Sequence, residues 1–494
     1  MGLPKGGTSS LKTGQRRNTA IGNSIHIPML ATMLYVILAQ CCPEVLATAE
    51  GTRLTPTSRP RQTALPTRPS RHRRPEKVAQ AIAAGQQPTG RAVGQLISDG
   101  LGYEGFLHAI RTVDHPIERQ PQIAETVVNA IDIIQARGDG IHQWREMQMQ
   151  KVREMAKALE SQRAAWAGDL HPRVRRVIGH LHLPLIDWMV KETGHQDTNY
   201  IRSLCEGRAV VGDIGRSYLF PEDPKPATID VGSWATNPGA RNRKILANIK
   251  PTGDDALDAM SWEKTQKEIE KGYCRIMNES EYDLDTCCIT GRFPKWERKA
   301  DGTMSVRNIS NWRESEGNSA TSMNERYMPD DLTTAYNHVR VLKQVFGRDV
   351  ILNAYKCDWA MAFRQTPTHP SQAHLTLEGT WDPTTGRAVV MEVFGQPFGG
   401  KGAQFNFIRD PAALVHFGRT FLALLVAHYS DDTWAIEPEC TCDHSYRLWI
   451  ELHQLTGWQL DLGKSPPPER LCTLLGAEIH VGWTQPFAQN HPTP

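Results

Sequence analysis

Short apolar runs enclose a pair of acidic residues near the C-terminal end of the chain. Residues 424–427 and 433–436 are mostly apolar, and the adjacent acids Asp431 and Asp432 stand between them. Two apolar runs of this length joined by a few polar residues predict a β-hairpin, here with both aspartates at its tip. Adjacent carboxylates repel each other unless a cation neutralises them, although aspartate is also frequent in ordinary solvated turns.

Apolar residues recur at helical spacing in four longer segments, which this spacing predicts to be helices. The segments are residues 123–136, residues 141–167 (a long, highly charged surface helix), residues 254–272 and residues 331–346. Aspartates stand at the predicted N-termini of the last two helices. Gly272 ends the first of these two, and Gly347 follows the second.

Two more helices are predicted on either side of the hairpin. The pair Asp410-Pro411 suits the start of a helix that runs to about residue 422. Asp443 suits the start of another, which ends at Gly457. The apolar run 350–352 predicts a strand that leads to Asp358. Helices that alternate with hairpin strands predict an α+β fold, in which helices cover one side of an antiparallel sheet.

The first hundred residues differ in composition from the rest. Residues 1–80 contain 12 Lys or Arg and 3 Asp or Glu, whereas the whole chain of 494 residues has a net charge of only +2. Any basic groove for nucleic acid must therefore be local. Residues 51–99 are rich in Pro, Thr, Arg and Gln and poor in apolar residues. We therefore expect residues 1–99 to form a disordered basic tail.

A short apolar stretch over residues 27–42 interrupts this tail. It follows several basic residues, as in a secretory signal peptide, but it is short for a membrane span. A targeting or membrane segment therefore remains an alternative for residues 27–42, although we do not expect the protein to bind a membrane. Ten scattered cysteines without a framework of spacings favour reduced thiols and an intracellular protein, in the nucleus or the cytoplasm.

Five segments in the second half of the chain follow one another in the order of a known set of polymerase motifs. They are residues 354–365 with Asp358 and Phe363, 395–407 with a glycine-rich turn, 427–434 with the paired aspartates, 460–465 with Lys464, and 474–479. This series resembles the palm of a reverse transcriptase, the RNA-directed DNA polymerase of retroelements, in particular of the protist retrotransposon type. The resemblance spans roughly residues 240–485.

The resemblance implies a right-hand polymerase with fingers and palm over residues 239–494, preceded by a mostly helical module over residues 100–238. No thumb, RNase H or integrase segment is expected, so a partner chain that supplies a thumb is a further expectation. The implied activity is that of a nucleotidyltransferase, which extends a primer with deoxynucleoside triphosphates on an RNA or DNA template.

Four residues are implied to be catalytic. Asp358, Asp431 and Asp432 would hold two Mg²⁺ or Mn²⁺ ions, and Lys464 would protonate the pyrophosphate or hold it by charge. Carboxylates suit this chemistry because hard divalent cations prefer oxygen ligands. A pair of such ions stabilises both the attacking and the leaving oxygen of an in-line displacement.

The remaining implied contacts are with the nucleotide and the primer. Phe363 would lie under the sugar and exclude a 2′-hydroxyl. The other nucleotide contacts implied are Lys299, Arg307, Gln365, Pro397, Phe398 and Gly399, and the primer contacts are Tyr429, Leu475 and Gly476. The chain departs from the family pattern at Asn311, where an acid is usual, and at Ser430, where an apolar residue is commoner.

These departures and the missing thumb favour an alternative, a degenerate relic that keeps the palm fold and at most binds nucleic acid. The intact aspartates oppose it. Cys440, Cys442 and His444 offer zinc ligands at close spacing, but a second ligand pair is missing from the sequence nearby. His180 and His182 flank Leu181 in an apolar run, which indicates strand positions, with a metal pair as the alternative.

Overall fold

A computed structural model describes residues 121–298 and 303–481 of the chain. The predicted tail over residues 1–99, its apolar stretch at 27–42 and Lys299 lie outside the described residues. Helices and both antiparallel and mixed sheets make up the described part, so the predicted α+β class is confirmed. Within these ranges, no helix has the length and apolar character that crossing a membrane requires.

Five helices come first along the described chain. They are α1 (Glu125–Arg137), α2 (Ile141–Asp169), α3 (Pro172–Ile178), α4 (Leu183–Glu192) and α5 (Tyr200–Glu206). The helices predicted over 123–136 and 141–167 are thus confirmed. The second is an amphipathic surface helix, as predicted, because Met149 and Val152 on one of its faces are buried while most of its other residues are exposed or half-buried. The charged Arg145 is buried on the same face, which the sequence pattern does not indicate.

The prediction of strand positions at His180 and His182 is wrong. His182 precedes α4, and its Nδ1 accepts a hydrogen bond from the Leu185 backbone N–H at 3.2 Å. Pro184 stands in the first turn of this helix, where its fixed φ is already helical and its missing N–H is not needed. The proline therefore turns an apolar run that alternates like a strand into the start of a helix.

Short strands and helices follow up to residue 325. They are β1 (Gly212–Ile214), β2 (Glu222–Lys225), α6 (Val231–Ala235), α7 (Gly239–Asn248), α8 (Asp255–Glu270), β3 (Cys274–Ile276), β4 (Ile289–Arg298), β5 (Met304–Ser310) and β6 (Thr321–Glu325). The predicted helix over 254–272 is confirmed as α8. Its N-cap is Asp254, whose carboxylate accepts a hydrogen bond from the Leu257 backbone N–H at 3.1 Å.

The rest of the described chain contains the predicted hairpin. Its elements are α9 (Leu332–Phe346), β7 (Leu352–Trp359), β8 (Leu377–Asp382), β9 (Arg387–Val393), α10 (Lys401–Leu422), β10 (Val426–Tyr429), β11 (Asp432–Pro438), α11 (Glu439–Thr456), β12 (Leu460–Asp461), β13 (Leu471–Leu474) and β14 (Ala477–His480). The helix predicted over 331–346 is confirmed as α9, capped by Asp331. The hairpin of β10 and β11 is confirmed as well.

Two predicted helix starts are wrong. Helix α10 begins at Lys401 and continues through Pro411, and α11 begins at Glu439, so that Asp443 lies in its second turn. Asp410 is not a cap, because its buried carboxylate forms an ion pair with Arg208 at 2.9 Å. A proline inside a helix removes one backbone hydrogen bond. The residues of α10 from Phe405 to Pro411 are all buried. Their packing stabilises the helix despite the missing hydrogen bond.

The strands form four sheets, and one of them carries the aspartates. This sheet has the order β10-β11-β7-β12, and all of its neighbouring strands are antiparallel. A five-stranded sheet has the order β3-β9-β8-β4-β5, with β4 and β8 parallel. The other two are β1-β6-β2 and the hairpin β13-β14.

Both faces of the β10-β11-β7-β12 sheet are covered, not one as predicted. Tyr355 and Cys357 lie in a core with helices α2, α4, α10 and α11. Ala354 and Trp434 face the other way, into a core with α1, α9 and the β13-β14 hairpin. Helices from before residue 239 thus share their cores with the strands after it. Residues on either side of the boundary predicted at 238 and 239 share hydrophobic cores, and the described residues belong to one compact unit.

Acidification is expected to destabilise this fold, because four histidines are buried without charge. Burial lowers the pKa of His195, His338, His428 and His453 to about 4. In the unfolded chain these rings bind protons below a pH of about 6.5. Their uncharged burial therefore costs no stability above that pH. As the pH drops towards 4, the stability of the fold decreases, because the unfolded chain binds protons that the folded chain does not.

Between pH 7 and pH 5 we expect the free energy of unfolding to fall by several kcal/mol, on the order of 1–2 kcal/mol for each ring. Urea unfolding at a series of pH values measures it. The His338→Phe variant keeps a ring against Trp434, which the His338 ring contacts at 5.4 Å, and should show a flatter pH profile. A parent profile that stays level from pH 7 to pH 5 would refute this prediction.

Candidate active site

One row of side chains crosses the whole β10-β11-β7-β12 sheet. Tyr429 is paired with Asp432, Asp432 with Asp358, and Asp358 with Asp461. Directly opposed residues of antiparallel strands stand about 4.5–5.5 Å apart and project from the same face of the sheet. The register therefore brings three carboxylates and one phenol into a line, and two of the three carboxylates were predicted to be catalytic.

Asp431 joins the row from the turn between β10 and β11. The turn consists of Ser430 and Asp431, and Ser430 has a φ of 56°. The backbone carbonyl of Asp431 accepts a hydrogen bond from the Trp359 N–H at 3.0 Å, so that the turn is tied to the end of β7. The predicted residues Asp358, Asp431 and Asp432 thus meet at one end of neighbouring strands.

Lys464 lies across two members of the row. Its Nζ is 2.9 Å from Asp358 Oδ2 and 3.2 Å from Asp461 Oδ2. The hydroxyl of Ser465 accepts a hydrogen bond from the Asp358 backbone N–H at 3.2 Å. Lys464 was predicted to be here, whereas Asp461 and Ser465 were not predicted as site residues. The place of Asp461 in the row follows from the register of the two-residue strand β12, which pairs it with Asp358. The sequence does not indicate that pairing.

Burial and mutual repulsion disfavour the charged form of two of these carboxylates. Burial, with Asp431 and Asp358 nearby, raises the pKa of Asp432 to about 6, against the opposing effect of Lys356. Burial also raises the pKa of Asp358, while the hydrogen bond from Lys464 opposes the rise. Burial alone would lower the pKa of Lys464, but its bond to Asp358 and its contact with Asp461 raise it.

A divalent cation fits the chemistry of this donor set. Carboxylate oxygens are the ligands that Mg²⁺ and Mn²⁺ prefer, and a cation would relieve the repulsion that raises both aspartate pKa values. Among the residues that the structure describes, no three His, Cys, Asp or Glu side chains converge into a ready-made metal cluster. The aspartates form a row, with Lys464 on one of them, and a cation would have to displace its ammonium from Asp358.

Three of the predicted nucleotide contacts lie together in the structure. The ring of Phe363 contacts Phe398 edge-on at 5.3 Å and Phe407 at 5.0 Å. The Arg307 guanidinium lies 5.8 Å from the centre of the Phe398 ring, and it pairs with Glu297 at 2.8 Å. Arg307, Phe398 and Phe363 therefore form a continuous stack from β5 to the segment after β7.

The other predicted nucleotide contacts shape the backbone around that stack. Gln365 is 1% exposed, and its amide donates hydrogen bonds to the carbonyls of Ala360 and Gln459. Pro397 is buried. Gly399 has a φ of 98°, and a Cβ there would lie 2.6 Å from the Ser310 carbonyl oxygen. These residues fix loops, and their contact with a nucleotide stays a prediction.

The predicted primer contacts lie on two different hairpins. Tyr429 is 40% exposed at the end of the row. Leu475 and Gly476 form the turn between β13 and β14, with φ values of 52° and 79°, as a type I′ turn requires. That hairpin packs on the face of the sheet that carries Ala354 and Trp434, from which Asp358 and Asp432 also project. Contact of its turn with a primer stays a prediction.

The remaining chemical candidates have structural partners. Cys440, Cys442 and His444 stand on α11, where the Cys442 thiol donates to the Asn353 carbonyl and His444 Nε2 lies 3.0 Å from Glu146. Asn311, at the position where an acid was expected, donates a hydrogen bond from its side chain to Glu314. It therefore holds the loop after β5.

No protein-family model matches the chain, and no curated protein sequence matches it. Among solved structures, it is similar to a foamy viral protease-reverse transcriptase in complex with double-stranded DNA, at 13% identity and a TM-score of 0.35. That match covers 60% of this chain and 46% of the viral one.

A second match, to a mutant of the Prototype Foamy Virus protease-reverse transcriptase, has 16% identity and a TM-score of 0.32. It covers 47% of this chain and 27% of that chain. The chain thus spans less than half the length of these two proteins. At such TM-scores neither likeness adds weight to a functional conclusion, which has to come from the site.

Proposed function

We propose that the chain is an RNA-directed DNA polymerase that extends a primer by two-metal nucleotidyl transfer, as part of a retrotransposon. The observation that carries the proposal is the register that aligns Asp432, Asp358 and Asp461 across three strands, with Asp431 in the adjacent turn. The order of the five polymerase-like segments supports it independently, because Asp358 and Asp431 lie 73 residues apart in sequence and meet at the same end of the sheet.

The acidic side chains of the site would bind metal ions, and the basic one would contact the leaving group. Asp358, Asp431 and Asp432 would hold two Mg²⁺ or Mn²⁺ ions, which would supply charge stabilisation at the attacking and the leaving oxygen when bound. Lys464 is 60% exposed, so its ammonium can turn from Asp358 towards the leaving pyrophosphate. An ammonium is protonated at neutral pH, as a general acid or an electrostatic partner must be.

The stack of Arg307, Phe398 and Phe363 would form the nucleotide pocket. Arg307 is half exposed and bound to a half-exposed glutamate, so a triphosphate can take the place of that partner at little cost, because exposed ion pairs contribute about 0–1 kcal/mol. Phe363 is partly exposed beside them, with its ring held by Phe398 and Phe407. It would present a rigid surface to the sugar.

Shortening Phe363 is expected to weaken the choice of sugar. In Phe363→Val, incorporation of a ribonucleotide relative to the matching deoxynucleotide should rise about ten- to a hundredfold, the range that small steric differences give. Single-nucleotide kcat/KM values for both sugars measure this ratio. Phe363→Tyr keeps the ring and should keep the preference. An unchanged ratio in Phe363→Val would show that another residue selects the sugar.

A second candidate is a protein that binds nucleic acid without catalysis. The ion pair of Lys464 with Asp358 favours it, because it neutralises a carboxylate that would otherwise bind a cation. Both candidates predict binding of a template-primer, and only the polymerase predicts its extension.

Primer extension by the full chain separates the two candidates. An RNA template with an annealed DNA primer is incubated with the four deoxynucleoside triphosphates and Mg²⁺, Mn²⁺ or EDTA, and the same duplex with a fluorescent label reports binding by anisotropy. Extension that EDTA abolishes supports the polymerase. Binding without extension under either metal, by protein with an intact unfolding transition, supports the second candidate.

A further inference from the structure

The turn that carries Asp431 is held from outside the hairpin, by the hydroxyl of Tyr327. The Ser430 backbone N–H donates a hydrogen bond to this hydroxyl at 2.7 Å. Tyr327 lies 103 residues earlier in the chain, in the segment that joins β6 to α9. None of the polymerase-like segments contains it.

The ring of Tyr327 is fixed on two sides. It stacks on His428 with centres 5.9 Å apart and an angle of 25°, and Phe220 meets it edge-on at 5.4 Å. Burial raises the pKa of Tyr327 well above its ordinary value, so the hydroxyl stays protonated at all working pH values. The ring can therefore hold its hydroxyl at one point under the turn.

The same segment is fastened to the hairpin at Asp330. Its carboxylate accepts a hydrogen bond from the His428 backbone N–H at 3.1 Å, and its own N–H donates to the His428 carbonyl at 3.1 Å. The Trp434 indole N–H donates to the Asp330 carbonyl at 3.3 Å. Residues 327–330 are thus hydrogen-bonded to β10 and to the turn that follows it. Tyr327 is the residue of this segment that contacts the turn.

The turn needs such support because of its backbone. Of its two residues, Ser430 alone has a positive φ, the pattern of a type II′ turn, in which the first position favours glycine. A serine there is strained, and strain of this kind persists only where surrounding contacts enforce it. If the turn relaxed, Asp431 would move, and Asp432 beside it would shift against Asp358.

We propose that Tyr327 is a positioning residue, whose hydroxyl holds the strained Ser430 backbone and so sets Asp431 and Asp432 in line with Asp358. This inference rests on the proposed polymerase function for its effect on rate. Its structural part, the hold on the turn, does not depend on that function. The hydroxyl of Tyr327 bonds the backbone N–H of Ser430, and in this proposal it acts through that backbone.

Three variants of the full chain test the proposal. Tyr327→Phe removes only the hydroxyl, Ser430→Gly removes the strain, and the third variant combines both changes. Tyr218→Phe is the matched control, because Tyr218 is 61% exposed and its ring contacts the guanidinium of Arg216. Hydrogen exchange of the Ser430 amide, the affinity for Mn²⁺ alone, and kcat and KM for primer extension are measured on each.

In Tyr327→Phe we expect exchange at Ser430 to be about five- to tenfold faster, as the loss of one hydrogen bond implies. The affinity for Mn²⁺ should fall by about tenfold or more, and kcat by about ten- to a hundredfold, with KM for the nucleotide little changed. Glycine adopts a positive φ without strain, so Tyr327→Phe/Ser430→Gly should recover most of kcat and of the Mn²⁺ affinity.

Each other outcome has a definite meaning. If Tyr327→Phe matches Tyr218→Phe in exchange and in Mn²⁺ affinity, the proposal is overturned. If both change but glycine restores neither, Tyr327 does not act through the Ser430 backbone, and the proposal is overturned as well. If the parent extends no primer, the polymerase function fails, while exchange and Mn²⁺ affinity still decide whether Tyr327 holds the turn.

Discussion

Replacing Asp358 by asparagine is expected to lower the rate of nucleotide addition by about a thousandfold or more. Asp358 stands in the centre of the row, paired with Asp432 on one side and Asp461 on the other, and it is the carboxylate that Lys464 contacts most closely. An amide of the same shape cannot supply the anionic oxygen that a divalent cation requires. Metal stabilisation of a displacement is worth several kcal/mol, and about 4 kcal/mol corresponds to a thousandfold in rate.

Single-turnover primer extension at saturating template-primer measures this loss. Burial raises the pKa of Asp358, which means that its charged form is held at a cost to stability. The asparagine variant should therefore unfold at a urea concentration no lower than the parent does. Asp443→Asn, an exposed aspartate on α11, serves as the control and should extend primers at the parent rate. A parent-like rate in Asp358→Asn would exclude metal catalysis at this row.

Arg145→Met is expected to cause the largest loss of stability, about 3–5 kcal/mol in the free energy of unfolding. Arg145 in α2 and Glu437 in β11 have no exposed side-chain surface, and their atoms approach to 3.0 Å. The guanidinium also donates to the carbonyls of Leu422 and Ala423. Removing it leaves a buried carboxylate without its counter-charge and two carbonyls without a donor.

Urea unfolding of two further variants shows whether burial is the reason. Arg153 on the same helix pairs with Glu451 at 2.5 Å, but these side chains are 32% and 30% exposed. Arg153→Met should therefore cost at most about 1 kcal/mol. Arg145→Met/Glu437→Gln removes the unpaired charge and should recover much of the loss. Equal effects of Arg145→Met and Arg153→Met would contradict the assignment of Arg145 as a core ion pair.

The sequence alone predicts those helices and strands whose signals lie within the element itself or a few residues from its ends. The β10-β11 hairpin, α1, α8 and α9 follow from apolar spacing and from caps within a few residues of each end. The structure also brings Asp358, Asp432 and Lys464 together, with Asp431 in the adjacent turn, and the motif series contains all four; their catalytic roles stay a prediction. In each case the deciding residues are neighbours in the chain, or belong to segments whose order is informative.

The features that were missed depend on residues far apart in the chain. Arg145 looked like one more charge on a surface helix, because its partner Glu437 is 292 residues away. Asp410 looked like a helix cap, because Arg208, which neutralises it, stands in another segment. Asp461 and Tyr327 reach the site only through β-sheet register and a contact to a turn. Asp461 belongs to the motif-like segment 460–465, but that segment does not indicate its pairing with Asp358, and the sequence around Tyr327 carries no signal for its contact with the turn.

The most direct test of the polymerase proposal asks whether the template dictates the nucleotide that is added. The full chain is given an RNA template of known sequence, an annealed DNA primer, Mg²⁺ or Mn²⁺, and one deoxynucleoside triphosphate at a time. We predict that the parent adds only the complementary nucleotide at each position, and that Asp431→Asn/Asp432→Asn adds none. Addition that ignores the template, addition that survives the double substitution, or no addition by folded parent protein would contradict the proposal.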